Sequence, residues 1–281
     1  MGRTLIVVRN LLKAWGCLAV LLLVLGALGW ELGGYRLLLL FVGSGVLLAG
    51  AVYWYADRIV MGMVGASELV EGEAPALHST VERLSMKARV IKPKLYVIRD
   101  GYPRALSAGR GAGGGSALAV SVGLLGVASP AELEGVVAHE IAHLRHRDVL
   151  VQTLAVIVAA ALVDVSRVGG FLQRALLFVL APIAAAFVHL LLSPGREYDA
   201  DRLAAELCDS PHGLADALVR LEQATELVAF AASPVTEPLY TINPFADERP
   251  ASLFASHPRV GERVRRLRSL DPEWRERLQA A

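Results

Sequence analysis

Two histidines four residues apart, with a glutamate directly after the first, stand out in His139-Glu-Ile-Ala-His143. Residues four apart differ by about 40° around a helix, so both imidazoles lie on one face and can share one metal ion. Glu140, about 100° round from His139, falls beside such an ion rather than on it. From there it can take a proton from an activated water and deliver it to a leaving amine. The chain has only seven histidines in 281 residues, so the arrangement is uncommon by chance. A helix with two idle surface histidines is the plain alternative. The apolar company of Ile141, Ala142 and Leu144 weakens it.

A catalytic zinc takes three protein ligands and leaves a fourth position to water. The third ligand must come from elsewhere, with His146, His189, His212, His257 and the carboxylates as candidates. Glu197 stands out in Arg196-Glu-Tyr-Asp-Ala-Asp201, at the start of an expected helix running to Cys208. Asp201 lies one turn further on the same face, placed to hold a ligating imidazole from behind. The competing reading is a charged helix start in which Arg196 and Arg202 pair with carboxylates.

The elements that must position these residues include long apolar runs. Hydrophobic residues make up 54% of the chain and charged ones 20%, against about 45–50% and 25% in average soluble domains. That excludes a wholly soluble protein, a disordered chain and a collagen-like repeat. A net charge of +1 offers no basic footprint, so no nucleic acid is expected. Cys17 and Cys208 cannot build a disulfide framework and are read as unpaired thiols.

Residues 14–30 and 37–56 predict a helical hairpin with its turn at 31–36, ending in Tyr53, Trp54 and Tyr55 at a headgroup level. A cleaved signal peptide begins in a similar way, but its apolar stretch is shorter and no second run follows it. Residues 149–163 and 175–195 predict a second spanning hairpin, although the first of these is short and could be a buried core helix. If both runs span, His143 and Glu197 each lie within about 8 Å of the bilayer, and the hairpin brings them together. Arg3, Arg9 and Lys13 precede the first run, and Arg58, Lys87, Arg89, Lys92 and Lys94 follow the second. The positive-inside rule then puts the N-terminus and the domain after residue 58 in the cytoplasm.

Between the hairpins the pattern is α+β. A helix is expected over 74–88, strands over 94–98, 105–108 and 117–121, and a glycine-rich hairpin tip over 110–116. Ser129 caps a helix opened by Pro130, with Glu132 in its first turn. The domains read as 1–58 (membrane hairpin), 59–148 (first part of a cytoplasmic domain, with the metal helix), 149–195 (second hairpin) and 196–281 (C-terminal part of that cytoplasmic domain).

These residues resemble the HtpX-type membrane metallopeptidases, relatives of the CAAX prenyl proteases, over roughly 60–275. The likeness rests on Gly123-Leu-Leu125, Glu134, His139-Glu-Ile-Ala-His143, Arg147-Asp148, Arg196-Glu-Tyr-Asp-Ala-Asp201 and Ser256-His-Pro-Arg-Val-Gly-Glu-Arg263. It implies a mostly helical, gluzincin-like zinc-peptidase domain with a small antiparallel sheet and two transmembrane hairpins. One Zn2+ per chain would be held by His139, His143 and Glu197, with Glu140 as base and Asp201 behind a ligand. His257 and Arg263 would face the substrate and stabilise its oxyanion. The family's Asn-Ala-Phe-Ala-type edge strand corresponds here to Arg104-Ala-Leu-Ser-Ala-Gly109. Arg104 and Leu106 replace Asn and Phe, which leaves Leu106, Ser107 and Ala108 a backbone role in pairing an extended substrate on an exposed edge.

The resulting expectation is a multi-pass zinc endopeptidase of the cell membrane, cutting membrane or misfolded polypeptides at the cytoplasmic face in quality control and stress response. A processing enzyme for one dedicated, lipidated substrate and a non-catalytic scaffold with a structural zinc are the alternatives.

Overall fold

In the computed structural model, residues 2–168, 186, 188, 192, 195–225 and 258–271 are described. Helix α1, Gly2–Met63, leaves helical geometry at Gly33 and Gly34. Gly34 has φ 64°, a left-handed conformation that glycine adopts without a Cβ clash. Beyond it the chain folds back on itself. Gly26 comes against Val42, and Gly45 against Leu22 and Leu25, so small residues let the two arms approach closely. Leu18–Met63 is long and apolar enough to cross a membrane by length and composition, and only 6% of its most apolar stretch is buried.

A four-stranded sheet follows, built from β1 (Ala66–Glu68), β2 (Lys94–Ile98), β3 (Ala105–Gly109) and β4 (Ser116–Ser121). Its order is β1-β2-β4-β3. The pairs β1/β2 and β3/β4 are antiparallel, whereas β2/β4 is parallel. The sheet is therefore mixed and not purely antiparallel. Residues 99–104 carry the chain past the middle position to the edge, and the glycine turn at 110–115 brings β4 back between its neighbours.

Side chains alternate across this sheet with the period of two that strands impose. Leu95, Ala105, Leu118 and Val120 point into the main core. That core also takes in α2 (Pro75–Ala88), α4 (Pro130–His146), α6 (Gly195–Leu207), α7 (His212–Thr225) and α8 (Val260–Arg268). Ile98, Leu106, Ala108, Ala117 and Ala119 point the other way, against Val60 and Met61 of α1 and Val156 of α5 (Asp148–Val168). Both faces are covered, so β3 and β4 are buried along their whole length. A short helix, α3 (Val122–Val127), links β4 to the Ser129 cap.

The described part of the 149–163 run belongs to α5 and is mostly buried, with Val149, Val151, Thr153, Ala155, Val156 and Ala159 inside. Most of 175–195, the other arm of the expected second hairpin, lies outside the described residues.

Candidate metal and catalytic site

Helix α4 is fixed at both ends. The Ser129 hydroxyl accepts from the Glu132 amide at 3.3 Å, and the Glu132 carboxylate accepts from the Ser129 amide at 2.6 Å. This reciprocal box satisfies two donors that a helix start leaves open. The other end closes on Arg147, left-handed at φ 58°, which turns the chain sharply into α5. That turn swings Asp148 back under His143, whose Nδ1 lies 3.3 Å from Asp148 Oδ2.

His139 and His143 are both buried, with Nε2 atoms 3.1 Å apart and rings set edge to face at 88°. Glu197, at the start of α6, is fully buried beside them. Its Oε2 lies 3.5 Å from His139 Nε2 and its Oε1 3.6 Å from His143 Nε2. One ligand atom from each of the three falls within 4.8 Å of the other two. Of the other histidines considered as third ligand, His212 is engaged with Asp271 at 3.0 Å, and His146 lies 3.9 Å from Asp148. His189 and His257 lie outside the described residues.

The hydrogen bonds behind the rings decide what this cluster can bind. His139 Nδ1 sits 2.9 Å from Asp201 Oδ1 and His143 Nδ1 3.3 Å from Asp148 Oδ2, so both Nδ1–H groups donate backwards. In that tautomer each Nε2 carries a lone pair. Two such nitrogens and a carboxylate, all aimed at one point, repel one another unless a cation lies between them. The charge balance points the same way. Burial disfavours the His143 imidazolium, yet Glu197 and then Asp148 outweigh it and push its pKa up to about 10. A field that holds a proton so firmly also attracts a divalent metal. Two imidazoles and one carboxylate, each buttressed from behind, fit such an ion.

Burial would raise the Asp201 carboxyl, but the Arg263 guanidinium more than offsets it and holds the group near 2. Arg263 donates through Nε at 2.9 Å and Nη2 at 2.7 Å to the two Asp201 oxygens, and Nη1 lies 3.8 Å from Glu197 Oε2. It is fully buried. Its Nη2 also lies 3.4 Å from His139 Nε2, so Arg263 stands beside the donor set, where carboxylates compensate a buried guanidinium.

Glu140 is buried beside the three donors and is not one of them. Its Oε2 accepts from the Ser107 hydroxyl at 2.8 Å. Ser107 points toward α4, while Leu106 and Ala108 point toward α1 and α5. The strand is the sheet's edge as expected, but it is not exposed: all five β3 residues are buried. The edge is defined by the backbone pairing. Arg110 donates to Gly115 and Ser121 donates to Arg104, so alternation gives Leu106 and Ala108 to β4 and turns Ser107 and Gly109 away from it. Gly109 spends its amide on the Thr153 hydroxyl of α5, at 3.1 Å.

The residues that reading the sequence missed are Asp148 as the support of His143 and Ser107 as the partner of Glu140; Arg196, read as pairing with a carboxylate, is buried with Nε 3.2 Å from Glu197 Oε1. Cys208 is a free thiol pushed up to about 12, chiefly by burial, and has no nucleophilic part here.

Residues 71–271 match Peptidase family M48. A Protease HtpX homolog of Pelotomaculum thermopropionicum is 35% identical over 279 residues, covering 93% of this chain and 99% of its own. Another, from Salinibacter ruber, is 36% identical over 271 residues, with 93% and 98% covered. A third, from Acidiphilium cryptum, is 37% identical over 281 residues, with 93% and 96% covered. The crystal structure of S. mikatae Ste24p shares the fold at TM-score 0.50 and 17% identity, across 93% of this chain and 66% of that one. With the match running across both donor-bearing helices and the relatives aligned along almost their whole lengths, this chain belongs to peptidase family M48.

Proposed function

We propose that this membrane metalloprotease is a multi-pass zinc endopeptidase that cuts membrane or misfolded polypeptides at the cytoplasmic face, in membrane-protein quality control. The observation that carries the proposal is the position of Glu140, a buried carboxylate adjacent to three convergent donors and outside them. A purely structural metal site has no use for a base there and is usually closed by a fourth protein ligand. Among the described residues only three donors converge.

His139, His143 and Glu197 would hold Zn2+, which supplies, when bound, an acidified water and Lewis-acid polarisation of the scissile carbonyl. Asp201 and Asp148 keep the two imidazoles in the tautomer that presents Nε2. Glu140 accepts the proton of the attacking water and passes it to the leaving nitrogen, with Ser107 orienting its carboxylate. The edge of β3 offers the backbone of Ser107 to an extended substrate, and Leu106 and Ala108, whose main chains are paired to β4, hold Ser107 in that place. His257 is assigned to the oxyanion by the family resemblance alone. The membrane reading takes α1 as one spanning hairpin and 149–195 as a second, with the basic residues after the first setting a cytoplasmic orientation.

The test is the full chain purified in detergent, with zinc content and casein cleavage measured together for wild type and Glu140→Gln. Retained zinc with cleavage lost by at least about 100-fold is expected. Retained cleavage by the variant would sink the mechanism.

A further inference from the structure

The glycine tip between β3 and β4 is tied to the aromatic end of the apolar helix. Arg110 places its guanidinium carbon 4.5 Å from the Trp54 ring centroid and 5.7 Å from that of Tyr53. On its other side it lies against Gly115, where any Cβ would overlap the guanidinium and where φ is +67°. The arginine is thus clamped between an aromatic ring and a residue that must be glycine. Trp54 remains 62% exposed despite this contact, so its ring is available to a headgroup layer.

From Trp54 onward α1 runs beside β3. Val60 and Met61 pack with Leu106 and Ala108. Directly after the helix, Ala66 pairs with Ile98, Ile98 with Ser121, and the Ser121 amide donates to Arg104 at the far end of β3. Helix and strand therefore share one axis, with the Arg110 end of β3 level with Trp54. Ser107 and its partner Glu140 sit three strand residues from that level, about 10 Å at about 3.3 Å per residue.

Resting on the peptidase reading above, we infer that the Arg110–Trp54 clamp makes β3 a ruler standing on the membrane surface, and that the substrates are membrane-anchored polypeptides cut at a set distance from the bilayer. An extended segment leaving the membrane beside β3 reaches Glu140 after about three residues beyond the headgroup level. Crossing the headgroups takes about two more, so the cut falls about five residues past the last apolar residue of the substrate's span. Arg110 is a positioning residue here and touches no reacting atom.

The experiment uses the full chain loaded with Zn2+ in phosphatidylcholine and phosphatidylethanolamine vesicles. The substrate is a single-span protein carrying a long unstructured tail, and its fragments are located by mass spectrometry. Cuts should fall in one narrow window. Inserting about four residues between span and tail, roughly 13 Å of extended chain, should leave that distance unchanged and move the cut by the same four residues along the tail. Arg110→Ala and Trp54→Ala should broaden the window while casein cleavage in detergent continues, and Arg110→Lys, which keeps a cation over the ring, should narrow it again. Cuts that stay on the same tail bonds after the insertion overturn the inference, as does an Arg110→Ala window as narrow as the wild type's. Casein cleaved normally beside such a result leaves the peptidase reading standing. Casein left intact by the zinc-loaded wild type sinks the peptidase reading, and the ruler with it.

Discussion

Helix α4 and the exposed length of α1 invert one another. α4 hides two histidines and a glutamate, with Glu197, Asp201, Asp148 and Arg263 packed around them. α1 displays Leu23, Leu47 and Leu48 to its surroundings. In α4 the inversion is made good by pairing, since each imidazole has a carboxylate behind it and Asp201 has a guanidinium. In α1 nothing within the described residues covers the leucines, an exposure that suits lipid better than water. The polar interior should therefore fail when one partner is removed, whereas the apolar exterior should respond only when its surroundings change.

The largest effect is expected at Glu197, where the two kinds of support meet. Glu197→Ala removes one metal donor and strips a carboxylate from Arg196 and Arg263, both buried. Metal analysis should find zinc reduced from one per chain to a trace, with cleavage lost. The apo protein should also lose stability, by about 3–5 kcal/mol if the guanidinia find no new partner. Full zinc content in the variant would place the third donor elsewhere.

A finer comparison sets the two supporting carboxylates against each other. Asp201→Asn and Asp148→Asn should each weaken metal affinity by about 10–100-fold, measured by competition with a chelator. Only the first deprives Arg263 of its bidentate partner, so Asp201→Asn alone should lower the Tm of the metal-free protein markedly. The pH dependence follows from the folded carboxyl lying near 2, below its ordinary 3.8. Such a group binds more protons unfolded than folded, so its stabilisation is present above about pH 4 and lost as the pH falls through about 2. The Tm gap between wild type and Asp201→Asn in chelator should therefore close over that interval. Equal losses in the two variants would mean that Arg263 takes its compensation from Glu197.

The two regions differ in how much of them could be read beforehand. α4 was legible because its signals are local: Ser129 and Glu132 form the cap, and the four-residue spacing puts both imidazoles on one face. Glu197 emerged among several candidates, as its helix start carries a charge pattern that plain ion pairing also explains. Asp148 was not legible as a support, because it acts through the left-handed turn at Arg147, a conformation seldom adopted by non-glycine residues. Three strands were recognised by alternation and composition, but the parallel β2/β4 pairing leaves no local mark. β1, three residues long, carries too short a pattern to register. The 2.7 Å contact of Arg263 with Asp201, sixty-two positions earlier, is announced by nothing in its own segment.

The smallest effect belongs to α1, and its smallness is informative. Leu47 is 76% exposed, so Leu47→Ala removes methyl groups that touch little protein. Its stability in detergent should stay within about 0.5 kcal/mol of wild type, the usual range for surface positions. Met61, on the same helix but 1% exposed, packs beneath Leu106 and Ala108, and Met61→Ala should cost about 2–5 kcal/mol. One helix would then contain two regimes, an outer length stabilised by lipid and a base stabilised by the sheet, with the aromatic residues 53–55 between them. A large loss at Leu47 in detergent would show that another part of the chain, or a second copy, covers that face and that the leucines are core. A large loss confined to Met61 would place the border between the regimes between Leu47 and Met61, the interval that contains Trp54.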